Sequence, residues 1–331
     1  MEKIRRILVA VKNPDGRRQA GVDKAIAIAK RIGARVELFH AISAPVFLEL
    51  QPLTGQSVAD LRREAMTVRG ERLEKLAARG RRAGVDVRCR VEWDYPPHEA
   101  IVRAVTRFGA DLVIAAAHEG RRLAPWLLHL TDWELLRLCP VPVLIFKNTR
   151  RWRAGVVLAA VDPSHARSKP VGLDRQIARQ ARFLAKSLRG TLHLVHANFP
   201  EFAGVAFADP EMGAATIASV YEDSKTQAAR KFDAFAKHAG VPPRHRHLLE
   251  MSPVDAIPRA ARRTRADVVV MGAIARSGIK RLFIGNTAEK LLEALPCDVL
   301  VIKPPGRGAR VPPKVRGMRV SAAPPVALVP V

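Results

Sequence analysis

The chain has 331 residues, and at about 100–200 residues per domain it is expected to fold as two domains. With 48% hydrophobic and 26% charged residues it reads as a globular protein with a real core, which excludes disordered and fibrous classes. Lys and Arg outnumber Asp and Glu by 56 to 31, a formal charge of +25 that suggests polyanionic partners, while no apolar run approaches the ~20 residues of a membrane span.

The opening MEKIRRILVAVKNPDG is too short in apolar residues for a secretory signal, and Cys89, Cys139 and Cys297 form no CxxC pair. A reducing, cytoplasmic setting is expected, with the cysteines as small core residues. Short β-rich apolar runs then alternate with amphipathic segments. Strands are predicted near 6–12, 35–41, 86–92, 111–116 and 142–147, with helices near 18–32, 58–83, 97–108 and 131–138 between them. The pattern repeats with strands near 155–162, 191–197, 244–249, 267–272 and 298–303 and helices near 170–188, 214–239, 254–265 and 286–294. A shift of 156 residues lays ADLVIAAA (110–117) over ADVVVMGA (266–273), VLIFK (143–147) over VLVIK (299–303) and His40 over His196. At the N-terminal edge the shift is 150, placing ILVAVKNP over VLAAVDP. The chain is therefore a duplication of one doubly wound α/β unit, with domains at 1–150 and 151–304. The remainder, 305–331, carries Arg307, Arg310, Lys314, Arg316 and Arg319 and no acid among prolines and glycines, and is expected to be a disordered basic tail.

In such sheets a ligand crevice lies beyond the carboxyl ends of the strands, where strand order reverses. In the second repeat those loops begin at Asp162, His196 and Met271–Gly272. The segment MGAIARSGIKRLFIGNTAEKLL (271–292) carries glycines at 272, 278 and 285 ahead of a helix with Asn286 as N-cap and Glu289 three residues on. Small residues permit close backbone approach, and a helix start offers unpaired N–H groups to phosphate. Arg276, Lys280 and Arg281 add cations. The alternative is a glycine-rich turn with solvated charges.

This segment resembles the universal stress protein family, whose nucleotide-binding members carry G-x2-G-x9-G-S/T here. Gly272, Ala275, Gly285 and Asn286-Thr287 occupy those positions with the nine-residue gap kept, and TDWELLRLCPVPVLIFK of the first repeat is similar to the family's tandem two-domain E type. The resemblance spans roughly 1–304. It implies a Rossmann-like fold of the adenine nucleotide alpha-hydrolase type, with a five-stranded parallel sheet between helices in each domain. It also implies pairing through the last strands, so that the repeats form an internal pseudo-dimer, with homodimerisation a further expectation. By position, Asp162 would recognise adenine, and Gly272, Ala275, Arg276, Gly285, Asn286 and Thr287 would surround the phosphates of ATP, with Mg2+ accompanying the nucleotide. Ala275 replaces a glycine and Asn286 a hydroxyl residue. In the first repeat the corresponding positions are Lys12, Ala116, Glu119, His129 and Leu130, a set unsuited to phosphate.

The implied function is a stress-response protein that is non-catalytic or at most a weak ATP hydrolase, since neither a GxSxG elbow nor a GxxxxGK[ST] loop is present. The competing expectation is a basic interaction protein with vestigial sites that binds acidic partners or, as a lesser case, nucleic acid; a carrier of apolar ligands ranks third. His245 and His247 are predicted on one face of a strand, where Arg244 and Arg246 oppose a metal, and no third ligand is expected. No metal site is expected elsewhere.

Overall fold

A computed structural model describes residues 4–43, 58–117, 131–147, 149–152, 154–164, 172–199, 214–273, 286–304 and 311–312. The first repeat runs β1 (Arg6–Ala10), α1 (Ala20–Ile32), β2 (Arg35–Ile42), α2 (Val58–Arg82), β3 (Val87–Trp93), α3 (Pro97–Phe108), β4 (Leu112–Ala116), α4 (Thr131–Leu138) and β5 (Val143–Phe146). The second runs β6 (Val157–Ala160), α5 (Leu173–Ser187), β7 (Leu192–Ala197), α6 (Ala214–His238), β8 (Arg246–Leu249), α7 (Pro253–Thr264), β9 (Val268–Gly272), α8 (Asn286–Ala294) and β10 (Asp298–Ile302). These elements follow the predicted periodicity closely. One differs: residues 244–245 belong to a 3-10 turn, Pro243–His245, and the strand starts only at Arg246. Pro242 and Pro243 lack the N–H that a ladder requires, so pairing is delayed.

Among the described residues ten strands join one sheet in the order β3-β2-β1-β4-β5-β10-β9-β6-β7-β8. Neighbours inside each repeat are parallel, whereas β5 and β10 are antiparallel with Leu144 opposite Leu300. Side chains alternate between two cores. Ile7 and Val9 of β1 join one and Leu8 the other, and Val268 and Val270 of β9 part from Val269 and Met271 in the same way. Burial on both faces explains why the strands read as continuous apolar runs.

The duplicated Ala-Asp before the fourth strand of each repeat has a structural role. Asp111 Oδ2 accepts the backbone N–H groups of Arg5 (2.8 Å) and Arg6 (3.0 Å), and Asp267 Oδ2 those of Ala154 and Val156 (both 3.2 Å). Each carboxylate thus anchors the start of its repeat's first strand. Glycine is required at Gly190, where a Cβ would lie 1.9 Å from the Gly155 carbonyl oxygen.

The seam between repeats is built on a buried carboxylate. Asp298, fully buried at the start of β10, accepts from Lys24 Nζ of α1 (2.5 Å), Trp152 Nε1 (2.8 Å) and the Lys147 backbone N–H (3.0 Å). Lys24 also lies over the rings of Phe146 and Trp152, at 5.6 and 5.5 Å from their centroids. Two lysines at matching positions cross the seam in opposite directions. Lys147 Nζ donates to the carbonyls of Leu292 (2.7 Å), Glu293 (3.1 Å) and Leu295 (2.5 Å) at the end of α8. Lys303 Nζ donates to the Cys139 carbonyl (2.6 Å) at the end of α4. Each cation satisfies carbonyls that a helix C-terminus leaves unpaired, at the negative end of its dipole. Burial lowers both lysine pKa values, Lys303 to about 8.

In the basic tail, Val311 packs against the apolar core and the Pro312 carbonyl accepts from Arg103 Nη1 (2.8 Å). The rest of 305–331 lies outside the described residues. Among the described residues no helix is long and apolar enough to cross a membrane. Cys139 and Cys297 are buried thiols, pushed up to about 11 and about 12 chiefly by desolvation.

Replacing Asp298 by Ala leaves a buried ammonium and two N–H donors without their shared acceptor. Asp298→Ala is expected to lower the unfolding free energy by about 3–5 kcal/mol in urea titration. A loss below about 1 kcal/mol would show that the carboxylate does not hold the seam.

Candidate functional site

Strand order reverses between β6 and β9, which puts the place expected for a ligand crevice in the second repeat beyond their carboxyl ends. The register Ala159 opposite Val270 carries the two chains to Asp162 and to Gly272 at the same end of the sheet. Val161 is buried and its N–H still donates to the Val195 carbonyl (3.0 Å), so the first loop turns away only at Asp162. Asp174 in the first turn of α5 accepts the Asp162 N–H (3.1 Å) and fixes the direction of that turn. The Asp162 carboxylate is 43% exposed, facing His196 Nδ1 at 3.7 Å.

His196, at the end of β7, is buried beside Phe232 of α6. Its Nδ1 lies 3.2 Å from the Val161 carbonyl and its Nε2 2.8 Å from Ser164 Oγ. Two residues on, and so on the same side of the chain, Asn198 is 3% exposed with its Nδ2 unpaired. An unmet buried amide donor costs about 1–3 kcal/mol. Buried donors of this kind are the exception in folded proteins, and a bound water or a ligand acceptor is one way such a group is met.

Of the predicted site residues, Asp162 and Gly272 come together at the strand ends. Gly272 has a packing role as well: a Cβ there would meet Leu173 Cδ2 at 3.0 Å and Ile177 Cδ1 at 3.1 Å, so its bareness lets α5 lie close to β9. Thr287 is exposed in the first turn of α8, which begins at Asn286. Ala275, Arg276 and Gly285 lie outside the described residues, as do Glu119, His129 and Leu130 of the first repeat. His40 repeats the role of His196, its Nδ1 2.7 Å from the Val11 carbonyl, and burial lowers its pKa. The residues that follow Val11 are Lys12, Asn13 and Pro14, which supply neither carboxylate nor hydroxyl at the places of Asp162 and Ser164. Sequence reasoning missed Ser164 and Asn198. Their signal was position alone, two residues beyond strand-end residues that already faced the crevice.

The universal stress protein family model matches residues 3–147 and 156–303. The chain is 30% identical over 299 residues to universal stress protein E of Escherichia coli K12, covering 90% of this chain and 93% of that protein. It is 27% identical over 315 residues to the universal stress protein E homolog of Haemophilus influenzae, covering 91% and 98%. Among solved structures, a universal stress protein from Pseudomonas aeruginosa UCBPP-PA14 superposes with a TM-score of 0.68 at 27% identity, over 92% of this chain and 94% of that one. One from Archaeoglobus fulgidus DSM 4304, at 17% identity and a TM-score of 0.60 over 89% and 98%, shares the fold.

A histidine cluster lies away from the crevice, at the β7–β8 edge. Because residues 243–245 form a turn, His245 does not share a strand with His247, which corrects the expected pairing on one face. Parallel pairing of β7 with β8 brings in a third imidazole, His193, which sequence reasoning had not associated with them. Arg263 Nη2 lies 2.9 Å from His247 Nδ1, and a guanidinium only donates, so His247 carries its proton on Nε2. That Nε2–H donates to His193 Nδ1 at 3.0 Å, the rings lying end to end at 4° with centroids 5.3 Å apart. His245 stacks on His193 at 4.1 Å. Among the described residues no group of His, Cys, Asp or Glu is arranged to hold a metal. Burial, then the charges of neighbouring imidazoles, pushes His193 down to about 4; burial, then the Arg263 charge, does the same to His247.

The unfolded chain takes up protons on these histidines near 6.5, whereas folded His193 and His247 take them up only near 4. Stability contributed by neutral imidazoles is therefore present above pH 6.5 and lost as pH falls toward 4. Thermal melts should shift down through that window, and His247→Leu should flatten the shift. An unchanged slope in the variant would show that the cluster stays solvated and titrates normally.

Proposed function

We propose, from the premise that the chain belongs to the universal stress protein family, that it is a ligand-responsive stress protein of tandem type whose second repeat binds an adenine nucleotide. The carrying observation is the orphaned Asn198 Nδ2, buried at the end of β7 beside a crevice bounded by Asp162 and Gly272. A ligand acceptor would satisfy that donor. The partly exposed Asp162 carboxylate suits the amino edge of adenine, and the start of α8, where Thr287 is exposed, suits an anionic group. ATP, with Mg2+ accompanying its phosphates, is the nucleotide this reading favours; Ala275, Arg276, Gly285 and Asn286 are the remaining residues assigned to its phosphates. The division at 1–150 and 151–304 follows the duplication. The antiparallel β5–β10 seam with its two crossing lysines supports an internal pseudo-dimer, and a cytoplasmic location accords with the free cysteines.

A second reading, recruitment of acidic partners or nucleic acid, is favoured by a cavity of about 420 Å3 between the repeats. Lys30, Arg31, Arg79, Arg150 and Arg151 line it together with Trp152. Lys30, Arg31 and Arg79 come from α1 and α2, where Arg79 is held by Asp23 (2.9 Å) and Arg31 reaches the Ser187 carbonyl (3.3 Å), while Arg150 and Arg151 come from the segment between β5 and β6.

Calorimetry with ATP and ADP should detect binding to the wild type, weakened at least about tenfold by Asp162→Ala, or about 1.4 kcal/mol. Asn198→Leu should weaken binding too while leaving the melting temperature equal or higher, because it removes an unmet buried donor. Absence of binding in the wild type overturns the nucleotide reading. For the second reading, Arg150→Ala with Arg151→Ala should reduce the salt dependence of oligonucleotide binding by about one in log–log slope per residue, and an unchanged slope would remove the cleft from consideration.

A further inference from the structure

Ser164, His196 and Asp162 are arranged as a nucleophile, a base and a carboxylate. The Val161 carbonyl can only accept, so at 3.2 Å it holds the His196 proton on Nδ1. Nε2 is then an unprotonated acceptor, and the Ser164 hydroxyl at 2.8 Å donates to it. This is the tautomer a general base requires, with the hydroxyl already aligned for proton transfer. The Asp162 carboxylate, 3.7 Å from Nδ1, would stabilise the imidazolium that forms once the proton arrives. Burial of the imidazole beside Phe232 keeps its position fixed, while Ser164 is half-buried and so open to solvent on one side.

The first repeat serves as an internal control. His40 keeps the bond to its strand-end carbonyl, which identifies that bond as scaffolding common to both repeats. The hydroxyl and the carboxylate occur only in the second repeat, since Pro14 and Lys12 stand in their places in the first.

We propose that Ser164 is a base-activated nucleophile that accepts an acyl group from an activated carboxylic ester. Ser164 Oγ forms a bond to the carbonyl carbon, its proton passes to His196 Nε2, and the ester C–O bond breaks as the alkoxide leaves and takes that proton. Water, deprotonated by the same nitrogen, then releases the acid and restores the hydroxyl. The step requires no nucleotide and stands independently of the binding proposed for the crevice.

The full chain is treated with a fluorophosphonate probe without nucleotide; Ser164 Oγ would bond to phosphorus, fluoride would leave, and the modified peptide is located by mass spectrometry. The expected result is selective modification of Ser164, absent in Ser164→Ala, with a rate that rises with pH as the imidazole loses its proton. His196→Asn retains a side-chain donor for the Val161 carbonyl but removes the base, and should slow labelling about a hundredfold or more. Asp162→Asn should slow it less and shift the pH midpoint down. No modification of Ser164 beyond that of other serines, a pH-independent rate, or full labelling of a folded His196→Asn variant would overturn the proposal. If His196→Asn does not fold, the wild-type pH profile and the Asp162→Asn shift decide the matter.

Discussion

The carboxylate of Asp298 is the constraint on which the architecture turns. A fully buried charge survives only where partners offset its desolvation, and here they come from an α1 ammonium, an indole and a backbone amide of the first repeat and its linker. The second repeat therefore depends on the first for a group inside its own last strand. Lys147 and Lys303 extend that dependence, each closing the last helix of the other repeat. With β5 and β10 paired antiparallel, these contacts make one continuous sheet from two units that otherwise repeat the same order.

That scaffold has two switch points at matching places, and the residues beside them have diverged. Both keep a histidine bonded to the carbonyl at the end of the first strand, so the fold's requirement is met twice. Only the second adds Asp162, Ser164 and the unpaired Asn198 around it. Among the described residues, the second repeat thus adds three polar groups beside its histidine that the first repeat lacks at the matching positions. Separately, the excess positive charge is not confined to the tail: part of it lines the cleft between the repeats, beside Trp152.

Elements and the doubly wound class were legible in the sequence because burial on both faces leaves continuous apolar runs such as VVVM, and because the duplication shows each unit twice. Asp162 and Gly272 were legible as strand-end positions flanking a switch point. What local reasoning could not reach were contacts made across long separations. Asp298 reads as the polar edge of a strand until α1 is seen to bring Lys24 to it from 274 residues away. His193 joins His245 and His247 only through strand pairing, and the prolines before Arg246 changed the local geometry that spacing alone suggested. Gly272, assigned to phosphate on its spacing, also answers to Leu173 and Ile177 of α5, a demand visible only once the helix is packed.

The central claim is that ligand sensing resides in the second crevice and not in its counterpart. Hydrogen exchange of the full chain with and without ATP tests it most directly. Added nucleotide should slow exchange in peptides covering 161–164, 196–199 and 271–273 and leave those covering 11–14 and 40–43 unchanged. Equal protection in both repeats, or none in the second, would contradict the account.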